Sequence, residues 1–210
     1  NGRVAEALKF DVGVRYETAE ENVAPITVFS TPGASTAATT LDNSYWLPAA
    51  TLTWELQPGM QIRGNVSRTL ARPQFRELIF QFYFDPDTNR QYRGNPLMVD
   101  SELTNAELRY EWYFASDQRI SAAGFYKRLK NPIESYVSGE SFITSFANAP
   151  QADLYGVELE AQKYFEVSDW MQGQMWASRR LLLTGNYTYS KSQLNVSAIK
   201  TNGKSSTQVL

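Results

Sequence analysis

Between residues 105 and 129 the chain reads NAELRYEWYFASDQRISAAGFYKRL. Leu108, Tyr110, Trp112 and Phe114 alternate with Glu107, Arg109, Glu111 and Tyr113. A short polar turn follows, and the return run keeps a similar rhythm. Successive side chains of a strand point to opposite faces, so a period of two specifies a hairpin with one apolar and one charged face. The same alternation recurs at residues 8–17, 50–56, 61–70, 155–162 and 181–190, which brings the expected total to about seven strands. Two residues break parity. Arg68 falls among apolar positions, and Phe125 sits beside Lys127 on the polar side; a bulge or a rim position accounts for either.

The connections alternate as well. Gln57-Pro58-Gly59-Met60 and Ala115-Ser116-Asp117-Gln118 are tight turns. Between them lie long excursions, roughly residues 18–44, rich in Thr, Ala, Pro and Gly, and 71–104 and 131–152, punctuated by Arg-Pro, Asp-Pro and Asn-Pro breakers. Residues 166–180 depart from this scheme as a longer connection at the short-turn end.

Two architectures put opposite faces inside. In a soluble sandwich the apolar face is the core, whereas in an outer-membrane barrel it meets lipid and the charged face lines the interior. Three observations favour the barrel. The strands run about nine to eleven residues, enough to cross a bilayer at a tilt. Aromatics gather near strand ends: Trp54, Trp112, Phe114, Tyr164 and Phe165 by the short turns, Tyr16, Tyr45 and Trp46 by the long loops. The polar face carries Glu107, Arg109, Glu111, Glu158 and Glu160, a density suited to an enclosed aqueous lumen.

The chain holds 20 Lys+Arg against 22 Asp+Glu, so no basic surface for nucleic acid is expected. It has no cysteine and no histidine, which removes ordinary zinc sites, thiol chemistry and serine–histidine hydrolysis. No nucleophile, base and orienting group fall at recognisable spacing, so no enzyme is expected. The start on Asn1-Gly2 and the polar finish read as a piece of a longer polypeptide.

Ser67-Arg68-Thr69 with Arg72-Pro73 and Phe75, then Gly94-Asn95-Pro96-Leu97, resemble the C-terminal half of a TonB-dependent outer-membrane receptor. So do the strand from Asn105 to Phe114, Phe125-Tyr126-Lys127, Asn131-Pro132-Ile133-Glu134, Tyr155-Gly156-Val157-Glu158-Leu159-Glu160 and Asn186-Tyr187-Thr188-Tyr189-Ser190. The likeness is strongest to the subgroup of Xanthomonas- and Caulobacter-type bacteria. It implies an all-β fold: an antiparallel up-and-down meander of about seven strands, a fragment of a 22-stranded transmembrane β-barrel with a plugged lumen. It also implies outer-membrane uptake of a scarce nutrient, a ferric siderophore or, in this subgroup, an oligosaccharide. The implied partners are a plug domain and TonB complex of the parent protein, membrane lipid and a small-molecule ligand. Residues 1–210 would be partial barrel, with plug and TonB box absent. A soluble carbohydrate-binding sandwich and a small non-transporting barrel remain the alternatives.

Phe80, Phe82, Tyr83, Phe84 and Tyr92 in one loop, with Tyr136, Phe142 and Phe146 in the next, are candidates to stack on a ligand or else to pack on neighbouring loops. Glu107, Arg109, Glu111, Glu158 and Glu160 are expected to face the lumen and contact the plug. Asp85, Asp87 and Asn89 lack the glycine and distal glutamate of a calcium loop, so no metal or other cofactor is assigned.

Overall fold

The computed structural model describes residues 2–5, 7–24, 26, 38–138, 143–176, 178–195 and 207–209. Its strands are β1 Gly2–Ala5, β2 Leu8–Val23, β3 Thr39–Gln57, β4 Met60–Ala71, β5 Phe82–Asp85, β6 Arg90–Arg93, β7 Ser101–Ala115, β8 Gln118–Lys130, β9 Ile133–Ser138, β10 Ile143–Asn148, β11 Gln151–Glu166, β12 Arg180–Asn195 and β13 Thr207–Val209. One α-helical turn, α1, covers Phe75–Leu78.

The main sheet has the order β1-β2-β3-β4-β7-β8-β11-β12-β13. Its seven long strands are those the alternation predicts, each paired antiparallel to its neighbour. They run from 12 residues in β4 to 19 in β3, longer than the alternating cores because they continue past the apolar band. The sheet is an open segment of barrel wall, with the short strands β1 and β13 at its edges. At the hairpin end the register shifts between Glu55 and Gln57 and between Tyr113 and Ala115. Gly59 has φ +79°, and its carbonyl accepts from the Tyr113 N–H at 2.7 Å. A Cβ there would lie 2.5 Å from the Tyr113 carbonyl oxygen, so this close approach of two hairpins requires glycine.

The excursions are not loops throughout. β2 and β3 extend into the first one, to Val23 and from Thr39. The second and third supply α1 and a separate sheet of order β5-β6-β10-β9, in which β6 and β10 pair in parallel. Their short runs and proline breakers concealed two hairpins, β5–β6 and β9–β10, which the β6–β10 pairing alone joins across the excursions.

Burial separates the two readings of the alternation. Val12 is 68% exposed, Leu108 61%, Leu183 61% and Leu159 50%, whereas on the opposite face Glu111 is 7% and Ser121 2% exposed. The apolar side is therefore bare, and on the central strands β7 and β8 the polar side is shielded by its own side chains. No second layer seals Trp112, Val157 or Leu159, as a sandwich would require. An uncovered apolar face of this kind matches the barrel architecture and not the sandwich.

The parity exceptions resolve without bulges. Phe125 stays in register, pairs with Glu107 and Gly156, and fills the space above that glycine. Arg68 lies near the upper end of β4 and pairs with Glu102, a rim position. Tyr16 and Trp46 pair across strands at the outer face, ring centroids 4.8 Å apart, as interfacial rings do. Tyr45 and Tyr164 share the parity of Glu17 and of Glu160 and so face inward, outside the expected girdles.

Candidate functional site

The inner face of β4, β7, β8 and β11 carries a continuous charge network centred on Arg109. Its Nε donates to Glu107 at 3.0 Å and its Nη2 to Glu158 at 3.0 Å, with Glu160 4.0 Å from Nη1. Arg119 pairs with Glu160 at 3.5 Å, and Arg63 with Glu111 at 3.6 Å. Gln61 and the Tyr113 hydroxyl also donate to Glu111. Strand pairing sets Arg63 directly opposite Arg109, and the flanking carboxylates offset that repulsion. Glu107, Glu111, Glu158 and Glu160 each have a cationic partner.

Where β2 and β3 rise above the girdle, a second cluster ties the excursions to the wall. Arg72 pairs with Glu17, and Asn43 donates to Asp100 at 3.1 Å. The Thr39 hydroxyl donates to the Pro96 carbonyl at 2.8 Å. Glu21 Oε2 and Asp100 Oδ1 are buried without a hydrogen-bond partner. Burial, and then the neighbouring Asp100, push the Glu21 carboxyl above its ordinary value, while Arg72 works the other way.

Above this clasp the second sheet has two unlike faces. One carries Tyr92 and Phe146 and packs, with Leu78 and Met98, on Val23 and Leu41 of the wall. Tyr83, Tyr92 and Phe146 stack in series, with centroids 5.5 and 5.9 Å apart. Val23 shares the inward parity of Glu17 and Glu21, so this sheet leans over the inner side of the wall. Its other face is open at β5, where Phe82 and Phe84 are exposed, and closed at β10, where Ser145 is buried. Register aligns Phe82, Arg93, Ser145 and Tyr136 in one row across the four strands. The Arg93 guanidinium lies 4.8 Å from the Phe80 ring centroid and 5.5 Å from that of Phe82. Its Nε is buried without a hydrogen-bond partner. Phe80, Phe82 and Phe84 are 37%, 51% and 61% exposed.

A family model described as TonB dependent receptor-like, beta-barrel, matches residues 1–209. The chain belongs to the TonB-dependent receptor barrel family. Solved receptors share the fold. A form of the ferric enterobactin receptor of Pseudomonas aeruginosa is 16% identical with a TM-score of 0.57, the match covering 91% of this chain and 28% of that one. The FrpB iron transporter of Neisseria meningitidis is 12% identical with a TM-score of 0.55, over 90% of this chain and 24% of that one. The chain thus spans less than a third of the length of these receptors. Comparison with curated proteins returned no match.

Within this TonB-dependent barrel segment the structure divides the loop aromatics. Tyr83, Tyr92 and Phe146 belong to packing, whereas Phe80, Phe82 and Phe84 are presented outward. Tyr136 is half-buried at the far end of the Arg93 row, and Phe142 lies outside the described residues. Sequence reasoning missed Arg93 and Ser145. A signal was present for Arg93: Phe82-Tyr83-Phe84-Asp85 and Arg90-Gln91-Tyr92-Arg93 flank Pro86-Asp87-Thr88-Asn89, and these three parts form the β5–β6 hairpin. Asp85 and Asn89 serve that turn, the first accepting from the Asp87 N–H at 3.0 Å and the second adopting φ +53°. Among the described residues no group of acidic side chains is arranged to hold a metal.

Proposed function

We propose that this segment forms part of the ligand-gathering side of an outer-membrane receptor that imports a scarce small molecule with energy delivered through TonB. The single observation that carries the ligand reading is the Arg93 guanidinium set against the exposed Phe80 and Phe82 rings. Exposed rings supply flat apolar area. A guanidinium wedged between two of them, with an unpartnered buried N–H, supplies a fixed positive centre of low hydration. That combination fits an anionic ligand with aromatic or planar groups better than a neutral one. A ferric chelate is therefore the favoured class, in keeping with the ferric enterobactin and iron receptors of the same fold. The inner charge network on Arg109 contacts the plug in this reading, and conformational work on the plug opens the path inward.

Oligosaccharide uptake is the second reading. It rests on the exposed Phe80, Phe82 and Phe84 rings, which would stack on sugar faces. Titration of the full-length protein in detergent with ferric catecholate and hydroxamate chelates, and with a panel of oligosaccharides, decides between them. Saturable binding of a ferric chelate, weakened at least tenfold in Arg93→Gln, supports the first. Binding of a sugar alone replaces it with the second, and binding of neither class removes both.

A further inference from the structure

The outer face of the wall carries an ordered charge pattern just above its apolar band. Register places Arg68, Thr104, Arg128 and Asp153 in one row across β4, β7, β8 and β11, with Glu102 and Lys130 in the row beyond. These positions share the parity of Val66, Leu108 and Val157, so they look outward. Arg128 stands about ten residues beyond the Ala115–Gln118 turn, the length of a strand that crosses a bilayer at a tilt.

In every ion pair here the cation is the exposed member. Arg68 and Lys130 flank Glu102 with side-chain exposures of 43% and 66% against 15%. Arg128 is 56% exposed over Asp153 at 23%. Exposed Lys191 adds a fourth cation on β12, opposite Tyr155. The carboxylates underneath hold the cations upright, and the surface offered outward is positive. Arg128 donates its Nε to Asp153 at 3.1 Å and also meets the Tyr126 hydroxyl, and the five N–H donors of a guanidinium exceed these two partners.

Directly below lies a hollow of about 860 Å³ in the apolar surface, lined by Val66, Ala106, Leu108, Gly124, Tyr126 and Tyr155. Two glycines make it. A Cβ on Gly64 would meet only Leu108 at 3.9 Å, and one on Gly124 would meet nothing within 4 Å. Neither glycine is forced by crowding. The cation row stands about 7 Å above the Val66–Ala106–Tyr126 row, two residues along each strand.

We propose that this face is a seat for one anionic lipid, its phosphate-bearing headgroup held by Arg68 and Arg128 and one acyl chain laid in the glycine hollow. The charge complementarity selects the headgroup, and the continuous apolar trough beneath it selects a lipid over a free anion. This inference rests on the outer-membrane reading above, but not on the identity of the transported ligand.

Native mass spectrometry of the full-length protein, with equal amounts of phosphatidylglycerol and phosphatidylcholine of the same chains in the detergent, tests it. The expected result is retention of phosphatidylglycerol at least tenfold over phosphatidylcholine, lost in the Arg68→Gln/Arg128→Gln double variant. Gly124→Leu, whose Cβ would meet nothing within 4 Å and which removes no charged group, is expected to lower retention of phosphatidylglycerol severalfold, so the proposal stays testable if the double variant does not fold. Equal retention of the two lipids, or retention unchanged in these variants, overturns the proposal. So does displacement of the lipid by equimolar inorganic phosphate, which would mark a plain anion site. A protein that requires detergent yet shows no headgroup preference refutes the lipid seat alone, whereas a monodisperse protein without detergent refutes the outer-membrane reading itself.

Discussion

Phe125 lies across Gly156: a Cβ placed on that glycine would come 2.7 Å from the Phe125 Cζ and 2.3 Å from the Tyr189 carbonyl oxygen. The ring, over which the Lys127 ammonium stands at 5.8 Å, covers a backbone that would otherwise be bare on the inner face. Gly156→Ala is therefore expected to destabilise the barrel by about 1–3 kcal/mol, as overpacking does. Urea midpoints of the refolded full-length protein measure it. Phe125→Ala should relieve only part of the loss, because the Tyr189 contact is with backbone.

The bare outer face makes a depth-dependent prediction. Leu108 stands in mid-band between Gly64 and Gly124 and is 61% exposed, whereas Leu70 lies near the upper rim opposite Glu102. Leu108→Arg should cost about 2–4 kcal/mol and Leu70→Arg about 0–1 kcal/mol in bilayer-equilibrated unfolding. In a water-soluble protein Leu108→Arg would cost almost nothing, so equal and small effects at the two sites would contradict the lipid-facing assignment.

Arg109 is the shared partner of three carboxylates, Glu107, Glu158 and Glu160. Arg109→Gln removes the cation and leaves those charges facing one another on adjacent strands. The side chain is largely shielded, 18% exposed, and on the proposed reading it borders an aqueous lumen, so about 1–3 kcal/mol of destabilisation is expected rather than the larger loss of a dry interior. Thermal unfolding at low and high salt checks it. The deficit should shrink as salt screens the uncompensated acids.

What could be read in the sequence was the wall. A strict period of two is a local property, and Leu108 to Phe114 or Val157 to Leu159 carry it within a few residues of one another. Which face is inside was less legible, because alternation is blind to solvent; it took the exposure of Val12 and Leu108 to settle it. Least legible was the candidate site. Tyr92 and Phe84 are both aromatic residues in one excursion, yet parity within four-residue strands sends the first into packing and the second outward. That parity depends on β6 pairing with β10, some fifty residues away, and no local pattern announces such a contact. Ser145 enters the Arg93 row only through the same long-range pairing.

The clasp at the base of the excursions should respond to pH. Glu21 lies about 17 Å beyond Tyr16 along β2, above the girdle. It faces Asp100 and Arg72, with Glu17 beside the latter. Its carboxyl is raised from an ordinary 4.5, so the folded clasp holds a proton more readily than the opened one. Stability of the clasp is then greatest below about pH 4.5 and falls as pH rises through the higher folded value. Hydrogen exchange of residues 96–101 across this range is expected to show protection declining with pH, and Glu21→Gln should flatten the profile. An unchanged slope in that variant would assign the effect to another group.

The two faces of the second sheet predict opposite phenotypes for neighbouring rings. Tyr92 stacks between Tyr83 and Phe146 over the buried Leu78 and Met98, so Tyr92→Ala leaves a cavity in the only sizeable apolar cluster of the excursions among the described residues. A local loss of about 3 kcal/mol is expected, seen as faster proteolysis between residues 72 and 100. Phe82, 51% exposed across the row from Arg93, supports no such cluster. Phe82→Ala should leave proteolysis unchanged and weaken ligand binding about fivefold to tenfold, the value of one lost ring contact beside a cation. Measured together, the pair separates packing from recognition. If Phe82→Ala binds normally while Tyr92→Ala abolishes binding with the loops intact, the ligand meets the stacked face and the orientation of the sheet must be reversed.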